Sequence, residues 1–374
     1  MLFKTPPLDD QERGVCARLE ALRAALRSQV ADERRWSRLL RRVAAARAIQ
    51  GSNSIEGLHV TLDDAVAAVS GANPLDTPPQ VWCAIQGYRD ALTFILQLAD
   101  DPSFAYDASL LKSLHFMMTK DDLRASPGRW RSGPVYVRDE RSGTLVYEAP
   151  DALDVPNLVS ELVAELGRPE DRTPAVVRAA MAHLNLVMIH PFRDGNGRMA
   201  RALQSLVLAR AGVLAPVFAS IEEYLGRNTA AYYAVLAEVG GGTWQPQRDA
   251  RPWVRFALSA HFQQIQTLRL RAAEAERRWD LLEQEVKYRR LPERSVPALF
   301  DAAQGFRVGN AAYRELADVS QVVAGRDLQA LAAAGLLEAR GERRGRYYVA
   351  SDLLTGLEAS IYRNREPIPD PFEA

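Results

Sequence analysis

A chain of 374 residues with 47% hydrophobic and 25% charged side chains has the make-up of an ordinary globular protein, and at about 100–200 residues per domain it holds two or three domains. Lys+Arg and Asp+Glu both number 47, which excludes a chain-wide polyanion binder. Two cysteines, Cys16 and Cys83, exclude a disulfide framework or a Cys-built metal cage, and no apolar run reaches the roughly 18 residues of a membrane span. The expectation is a cytoplasmic protein that makes no membrane contact.

Helical periodicity dominates the chain. Trp36, Leu39, Leu40 and Val43 recur at helical spacing, and Arg34, Arg35, Arg38, Arg41 and Arg42 around them read as a solvated face. That helix is predicted to run to Glu56 and stop at Gly57. Thr61 caps a second helix, with Asp64 completing a capping box. A third follows Pro78-Pro79 toward Ala99. Across Pro134–Glu148 the rhythm breaks: Val135-Tyr136-Val137 and Leu145-Val146-Tyr147 flank a polar turn and read as a hairpin. A lone two-stranded hairpin is marginal, so this one must pack on something or await a partner. Helices resume after Val155-Pro156 and at Thr173-Pro174, read as an N-cap with Pro at the first helical position. A charge-rich helix from Arg251 to Arg290 is predicted to link domains. From Phe306 to Ala350 come a helix (Ala311–Ala317), a turn, a second helix (Gln321–Ala334) and two strands about Gly341–Gly345, the layout of a winged helix-turn-helix.

The chemistry concentrates in His190-Pro191-Phe192-Arg193-Asp194-Gly195-Asn196-Gly197-Arg198-Met199-Ala200-Arg201. The preceding helix carries the stripe Val177, Met181, Leu184 and Met188 and is predicted to end at His190, because a residue before proline is pushed out of helical geometry. A second helix begins after the glycines, with Met199, Leu203, Leu206 and Val207 on one face. The turn between them opens a helix N-terminus, a site for an anion and for phosphate above all. Arg198 and Arg201 share one face and reach the same polyanion. Asp194 supplies a hard oxygen suited to Mg²⁺. His190 is the group here suited to general-base work near neutral pH. Phe192 reads as a core anchor for the loop.

These residues resemble the Fic family signature, HxFx[D/E]GNGRxxR, at every specified position. His115 and Pro127-Gly128-Arg129-Trp130-Arg131 are similar to the segment before the family's active-site flap, and Pro134–Glu148 to the flap itself. Ala231–Leu236 resembles the helix lining the nucleotide pocket, and Ser52-Asn53-Ser54-Ile55-Glu56-Gly57 fits the inhibitory motif [S/T]xxxE[G/N]. The resemblance implies a mainly α protein. Its parts are an N-terminal helical region (1–105) with the inhibitory motif (52–57), a Fic-type helical core (106–250) with a β-hairpin flap (134–148) and the signature (190–201), a linker helix (251–290) and a C-terminal winged helix-turn-helix domain (291–374).

What the resemblance implies chemically is transfer of AMP from ATP to a Ser, Thr or Tyr hydroxyl of a target protein, or of the chain itself. His190 takes the hydroxyl proton. Asp194 holds Mg²⁺ at the α- and β-phosphates. The Gly195, Asn196 and Gly197 amides cradle those phosphates, and Arg198 and Arg201 neutralise the β- and γ-positions. Tyr232 and Tyr233 are adenine-pocket candidates, one facing the ligand and the other packing, since adjacent helix positions cannot both face it. Val135, Tyr136 and Val137 dock an extended target segment by β-augmentation. Glu56, with Ser52 in the same motif, pairs with Arg201 and keeps the γ-phosphate from its productive seat. The same Glu can orient a water that removes AMP, so both directions stay open. The chain departs from some members at Val239-Gly240-Gly241-Gly242, where they carry an Asn near the nucleotide. It keeps Arg198 where phosphate-transferring relatives carry a Lys-containing variant.

Two alternatives stand beside this. One changes the donor to UTP, GTP or another phosphodiester. The other makes the chain a DNA-binding regulator that reads with Gln321, Arg326 and Gln329 and with Arg343, Arg344 and Arg346 in the wing. Residues 291–374 hold 10 basic against 12 acidic side chains, whereas a DNA module is basic. A protein-contact or homodimer role is therefore the expectation for this domain.

Overall fold

Asp9 opens helix α1 (Asp10–Gln29) with a reciprocal capping box: its side chain accepts from the Glu12 N–H, and the Glu12 carboxylate accepts from the Asp9 N–H. Glu12 is fully buried, and Arg255 on the 38-residue helix α11 (Arg251–Tyr288) donates to it at 3.0 Å, so the cap also ties α1 to α11. This computed structural model describes all residues except 31–33, 139–142, 169–172, 214–217, 219, 343–344, 360, 362–366 and 374.

Helix α2 (Ser37–Ile55) is capped by Glu56 and closed by Gly57 at φ +73°, as its sequence predicts. The Arg cluster is solvated at Arg34, Arg35 and Arg38, as expected, and turns inward at Arg42. Arg34 and Arg35 pair with Glu276 and Glu283 of α11, and Arg42 pairs with the buried Asp301. Helix α3 (Leu62–Val69) has half of the expected capping box. Thr61 accepts from the Asp64 N–H at 3.1 Å, but the Asp64 carboxylate turns to the 75–77 loop, where Thr77 donates to it at 2.6 Å. Helices α4 (Pro79–Leu98) and α5 (Ala108–Thr119) follow, then the hairpin β1 (Tyr136–Arg138) and β2 (Leu145–Glu148).

Helix α6 (Val155–Leu166) precedes α7 (Ala175–Ile189), which starts one residue later than expected because Pro174, at ψ 138°, is its N-cap. Helix α8 (Asn196–Arg210) packs along α7. It begins between the motif glycines, with Gly197 inside its first turn, rather than after them. Leu184, Ile189, Phe192, Met199, Leu203, Leu206 and Trp253 are all fully buried in the core, and the Trp253 indole N–H donates to the Ala180 carbonyl at 2.7 Å. Helices α9 (Glu222–Arg227) and α10 (Thr229–Gly240) complete this layer.

Helices α2 and α9 meet backbone to backbone. A Cβ at Gly51 would lie 2.3 Å from the Glu222 carbonyl oxygen, and one at Gly226 would lie 2.8 Å from the Gly51 Cα. Such an approach requires glycine on both sides.

The C-terminal part opens with α12 (Val296–Ala303), a helix the sequence pattern does not announce. Then come β3 (Val308–Gly309), α13 (Asn310–Ala317), α14 (Gln321–Ala333), β4 (Leu337–Arg340), β5 (Tyr347–Ala350) and α15 (Asp352–Glu358). The three strands form an antiparallel sheet in the order β3-β5-β4. Gln321, Arg326, Gln329 and Arg346 are exposed; Arg343 and Arg344, like the tip of the hairpin, lie outside the described residues. Residues 367–373 return to α11, where Gln263 donates to the Ile368 and Pro369 carbonyls at 3.0 Å. Among the described residues no helix is long and apolar enough to cross a membrane.

Candidate active site

The signature forms the sharp turn between α7 and α8. His190 caps α7 in the left-handed region (φ 51°, ψ 57°), and Gly195 caps α8 at φ 76°. Asn196 holds the turn shut from inside: its side chain accepts from the Phe192 N–H and donates to the Phe192 carbonyl, each at 2.9 Å. Phe192 is fully buried, as a core anchor should be. The N–H groups of Asn196, Gly197 and Arg198 are the first of α8 and have no intrahelical partner, which aims the helix N-terminus at an anion. The Gly195 N–H donates to the Asp194 carboxylate at 2.6 Å, so of the three amides named from the sequence, this one is engaged within the loop. Asp194 itself has a 61% exposed side chain, 4.0 Å from the Arg198 guanidinium.

Two residues that the motif does not contain position it. The His190 Nδ1–H donates to the Val187 carbonyl at 2.9 Å, which fixes the ring and leaves Nε2 without a proton in the neutral form. Burial holds this imidazole below its ordinary pKa. Arg131 donates to the His190 carbonyl at 2.8 Å, to Gly133 at 2.9 Å and to Pro150, tying both feet of the hairpin to the end of α7. His115 lies flat on Phe192, with ring centroids 3.7 Å apart. Its Nδ1 accepts from the Gly128 N–H at 2.9 Å and its Nε2–H donates to the Asp194 carbonyl at 3.0 Å. The sequence pointed to both through the resemblance alone, which named His115 and the run Pro127–Arg131 without a role for either; the partners of Arg131 lie up to 59 residues away.

Glu56 lies over the start of α8. Its carboxylate accepts from Arg201 Nη2 at 2.6 Å, and a Cβ at Gly197 would stand 2.4 Å from Glu56 Oε1. Ser52 completes the grip, its Oγ and carbonyl accepting from Arg201 at 2.8 and 3.0 Å. Burial alone would lower the Arg201 pKa, but the neighbouring Glu56 carboxylate raises it. Arg201 Nη1 and Arg198 Nε remain without a hydrogen-bond partner although buried.

The two tyrosines separate as adjacent helix positions must. Tyr232 is 1% exposed and donates its hydroxyl to His183 Nε2 at 3.0 Å; a buried polar chain continues through Gln204 to His261. Tyr232 therefore packs behind Arg201 and does not line a cleft. Tyr233 is 46% exposed and donates to the Ile55 carbonyl at 3.1 Å, beside Glu56. The hairpin pairs Tyr136 with Glu148 and Val137 with Tyr147, with a bulge before Arg138. Its first strand starts at Tyr136, so Val135 precedes the strand and accepts from the Ala149 N–H at 3.2 Å. The Tyr147 hydroxyl donates to the Met188 carbonyl at 2.8 Å, and the Glu148 N–H donates to Gly242 at 2.9 Å. The hairpin is thus packed through β2, while β1 pairs only with β2 among the described residues.

The buried imidazoles give the fold a pH dependence. Burial lowers His115 to about 4 and His183 to about 3, and takes His261 well below its ordinary 6.5. Each ring takes up a proton near 6.5 only when the chain unfolds. From that pH down to about 4 the unfolded chain therefore binds more protons than the folded one, and stability falls as pH falls. At pH 5 the expected loss is about 2 kcal/mol per ring, read as a lower urea midpoint than at neutral pH. Equal midpoints would contradict it.

Residues 105–208 match the sequence profile of the Fic/DOC family. The chain is 34% identical over 157 residues to protein adenylyltransferase fic-1 of Caenorhabditis briggsae, which is 40% of this chain and 28% of that protein. It is 29% identical over 215 residues to protein adenylyltransferase Fic of Nematostella vectensis, 56% of this chain and 45% of that protein. It thus spans less than half the length of these curated relatives. Among solved structures, a Fic family protein from Desulfovibrio desulfuricans matches with a TM-score of 0.58 at 23% identity, across 93% of this chain and 98% of that one. That is a likeness of fold.

Proposed function

Because residues 105–208 form a domain of the Fic/DOC family, we propose that the protein transfers AMP from ATP to a hydroxyl of a target protein, and that Glu56 holds this activity off. One observation carries the reading: an imidazole with its Nε2 lone pair left open stands at a turn whose far side is a helix N-terminus flanked by two buried arginines. That arrangement fits an in-line displacement at a phosphorus atom, where positioning and charge supply most of the rate.

The target hydroxyl oxygen attacks the α-phosphorus of ATP and gives its proton to His190 Nε2. The bond from that phosphorus to the α–β bridging oxygen breaks, and pyrophosphate leaves. The first amides of α8 receive the phosphate oxygens, and Arg198 and Arg201 neutralise the charge that builds on the leaving group. Among the described residues no three His, Cys, Asp or Glu side chains form a metal cluster. The exposed carboxylate of Asp194 beside this turn fits Mg²⁺, which commonly takes one or two protein carboxylates with the rest of its shell from phosphates and water. Bound there, Mg²⁺ supplies neutralisation of the triphosphate.

The free edge of β1, with Tyr136 and Val137, suits main-chain pairing with an extended target segment. Residues 291–374, read as a winged helix-turn-helix, suit protein contact or dimerisation by their charge. Arg131 acts as a positioning residue for the hairpin. Arg131→Lys keeps the charge but not the fork, and is expected to lower target modification about tenfold. Binding of a fluorescent ATP analogue should stay near wild type. An equal loss in binding would assign Arg131 to the nucleotide instead.

The test of the function is mass spectrometry of the Glu56→Gly protein after incubation with Mg²⁺ and ATP. The expected result is an AMP adduct on the chain or on an added target. A phosphate adduct, or labelling from UTP or GTP that ATP does not compete away, would overturn it.

A further inference from the structure

The helix that ends in Glu56 is gripped at a second place, by the C-terminal part of the chain. Arg42 on α2 pairs with Asp301 at the end of α12, both side chains largely buried. Phe306, in the turn that follows, is 4% exposed. It packs with Val43 and Ala46 of α2 and with Ala65 and Val66 of α3, in a small cluster separate from the main core. Its neighbour Arg307 donates its backbone N–H to the Asp63 carboxylate at 3.1 Å, and its guanidinium pairs with Asp63 at 3.3 Å and with Asp76. Ala46 and Glu56 stand ten residues apart on one continuous helix and its cap, about 15 Å along a rigid rod. Load applied at the 301–307 turn is therefore carried to the carboxylate that covers Arg201.

Resting on the reading of Glu56 as a block, we propose that the 301–307 turn is the clamp of that block, and that lifting the C-terminal unit from α2 and α3 releases Arg201. The Phe306 cluster supports this, because its buried residues come only from α2, α3 and this turn, so losing that seat removes no side chain from the core around the motif. The far end of α2 is held by Ile49 and Ile55 in the main core and by the hydrogen bonds of Arg201 to Ser52 and Glu56, and the clamp adds a second seat at the middle of the same helix. A partner of the C-terminal unit then acts on the active site without touching it. The two sites are coupled through one rod with two seats.

The test compares Phe306→Ala, Arg307→Ala and the shape-conserving Asp301→Asn in the full chain, each with Glu56 intact and with Glu56→Gly. With Glu56 intact, AMP labelling is expected to rise at least about fivefold, and amide hydrogen exchange over residues 49–57 to quicken while that over 184–190 does not. In the Glu56→Gly background the same changes should add nothing to labelling. Unchanged exchange over 49–57 would overturn the clamp, as would faster exchange without added labelling while Glu56→Gly itself labels. If Glu56→Gly fails to label, the transfer reading falls, and exchange over 49–57 then decides the clamp alone.

Discussion

Glu56→Gly is expected to raise AMP labelling by about ten- to a hundredfold, within the usual span of an allosteric coupling. The Arg201 guanidinium is half prepared for a phosphate already, since Nη1 has no partner and only Nη2 is held by Glu56. Removing the carboxylate frees one N–H of Nη2, whose other stays on the Ser52 carbonyl, and opens the space beside Gly197, where Glu56 Oε1 now sits. A fork of two N–H groups next to a helix N-terminus is a strong seat for a γ-phosphate. The cost falls on the empty enzyme. Breaking one side of a buried ion pair commonly takes about 3–5 kcal/mol, so the variant should melt earlier than wild type. ATP should restore much of that loss, because it supplies the missing anion. A variant that labels no faster, or whose melting temperature ignores ATP, would remove Glu56 from the site.

His190→Ala, made in the Glu56→Gly background, is expected to cut labelling by about 10²–10⁴, the usual worth of a positioned general base. ATP binding should be retained, because the ring touches the proton being moved and not the triphosphate. The pH profile distinguishes this role from a structural one. Burial lowers the His190 pKa below 6.5, so the neutral base is already complete at neutral pH. Labelling by Glu56→Gly should hold level above that value and decline only below it. A profile that rises through pH 7 to 8 would point to another base.

The chemistry was legible in the sequence where it is written contiguously. The His-Pro step ends one helix, Gly195 opens the next, and the arginines three apart follow from helical period alone. Ser52 and Glu56 were legible through the resemblance, and the structure brings both to Arg201. What escaped the sequence is what depends on distant partners. Arg42 looked solvated because its buried partner Asp301 lies 259 residues further along the chain. Asp64 looked like half of a capping box, and a loop eleven to thirteen residues away took its oxygens instead. Arg131 stood in the run Pro127–Arg131 that carries the resemblance, but its role was not legible, because its work is to gather backbone carbonyls that any residue provides. Of the tyrosine pair, helical geometry foretold that one would turn inward, but only the buried His183 decides that it is Tyr232.

At Gly51 there is no space for even a methyl group against the α9 backbone. On the reading above, any side chain introduced there pushes the rod outward and draws its terminal carboxylate away from the guanidinium. Damage at that spot leaves a protein that runs unchecked, not one that stops. A mutant allele of this kind would act in the presence of an intact copy, as a dominant gain of activity, and could not be complemented by it.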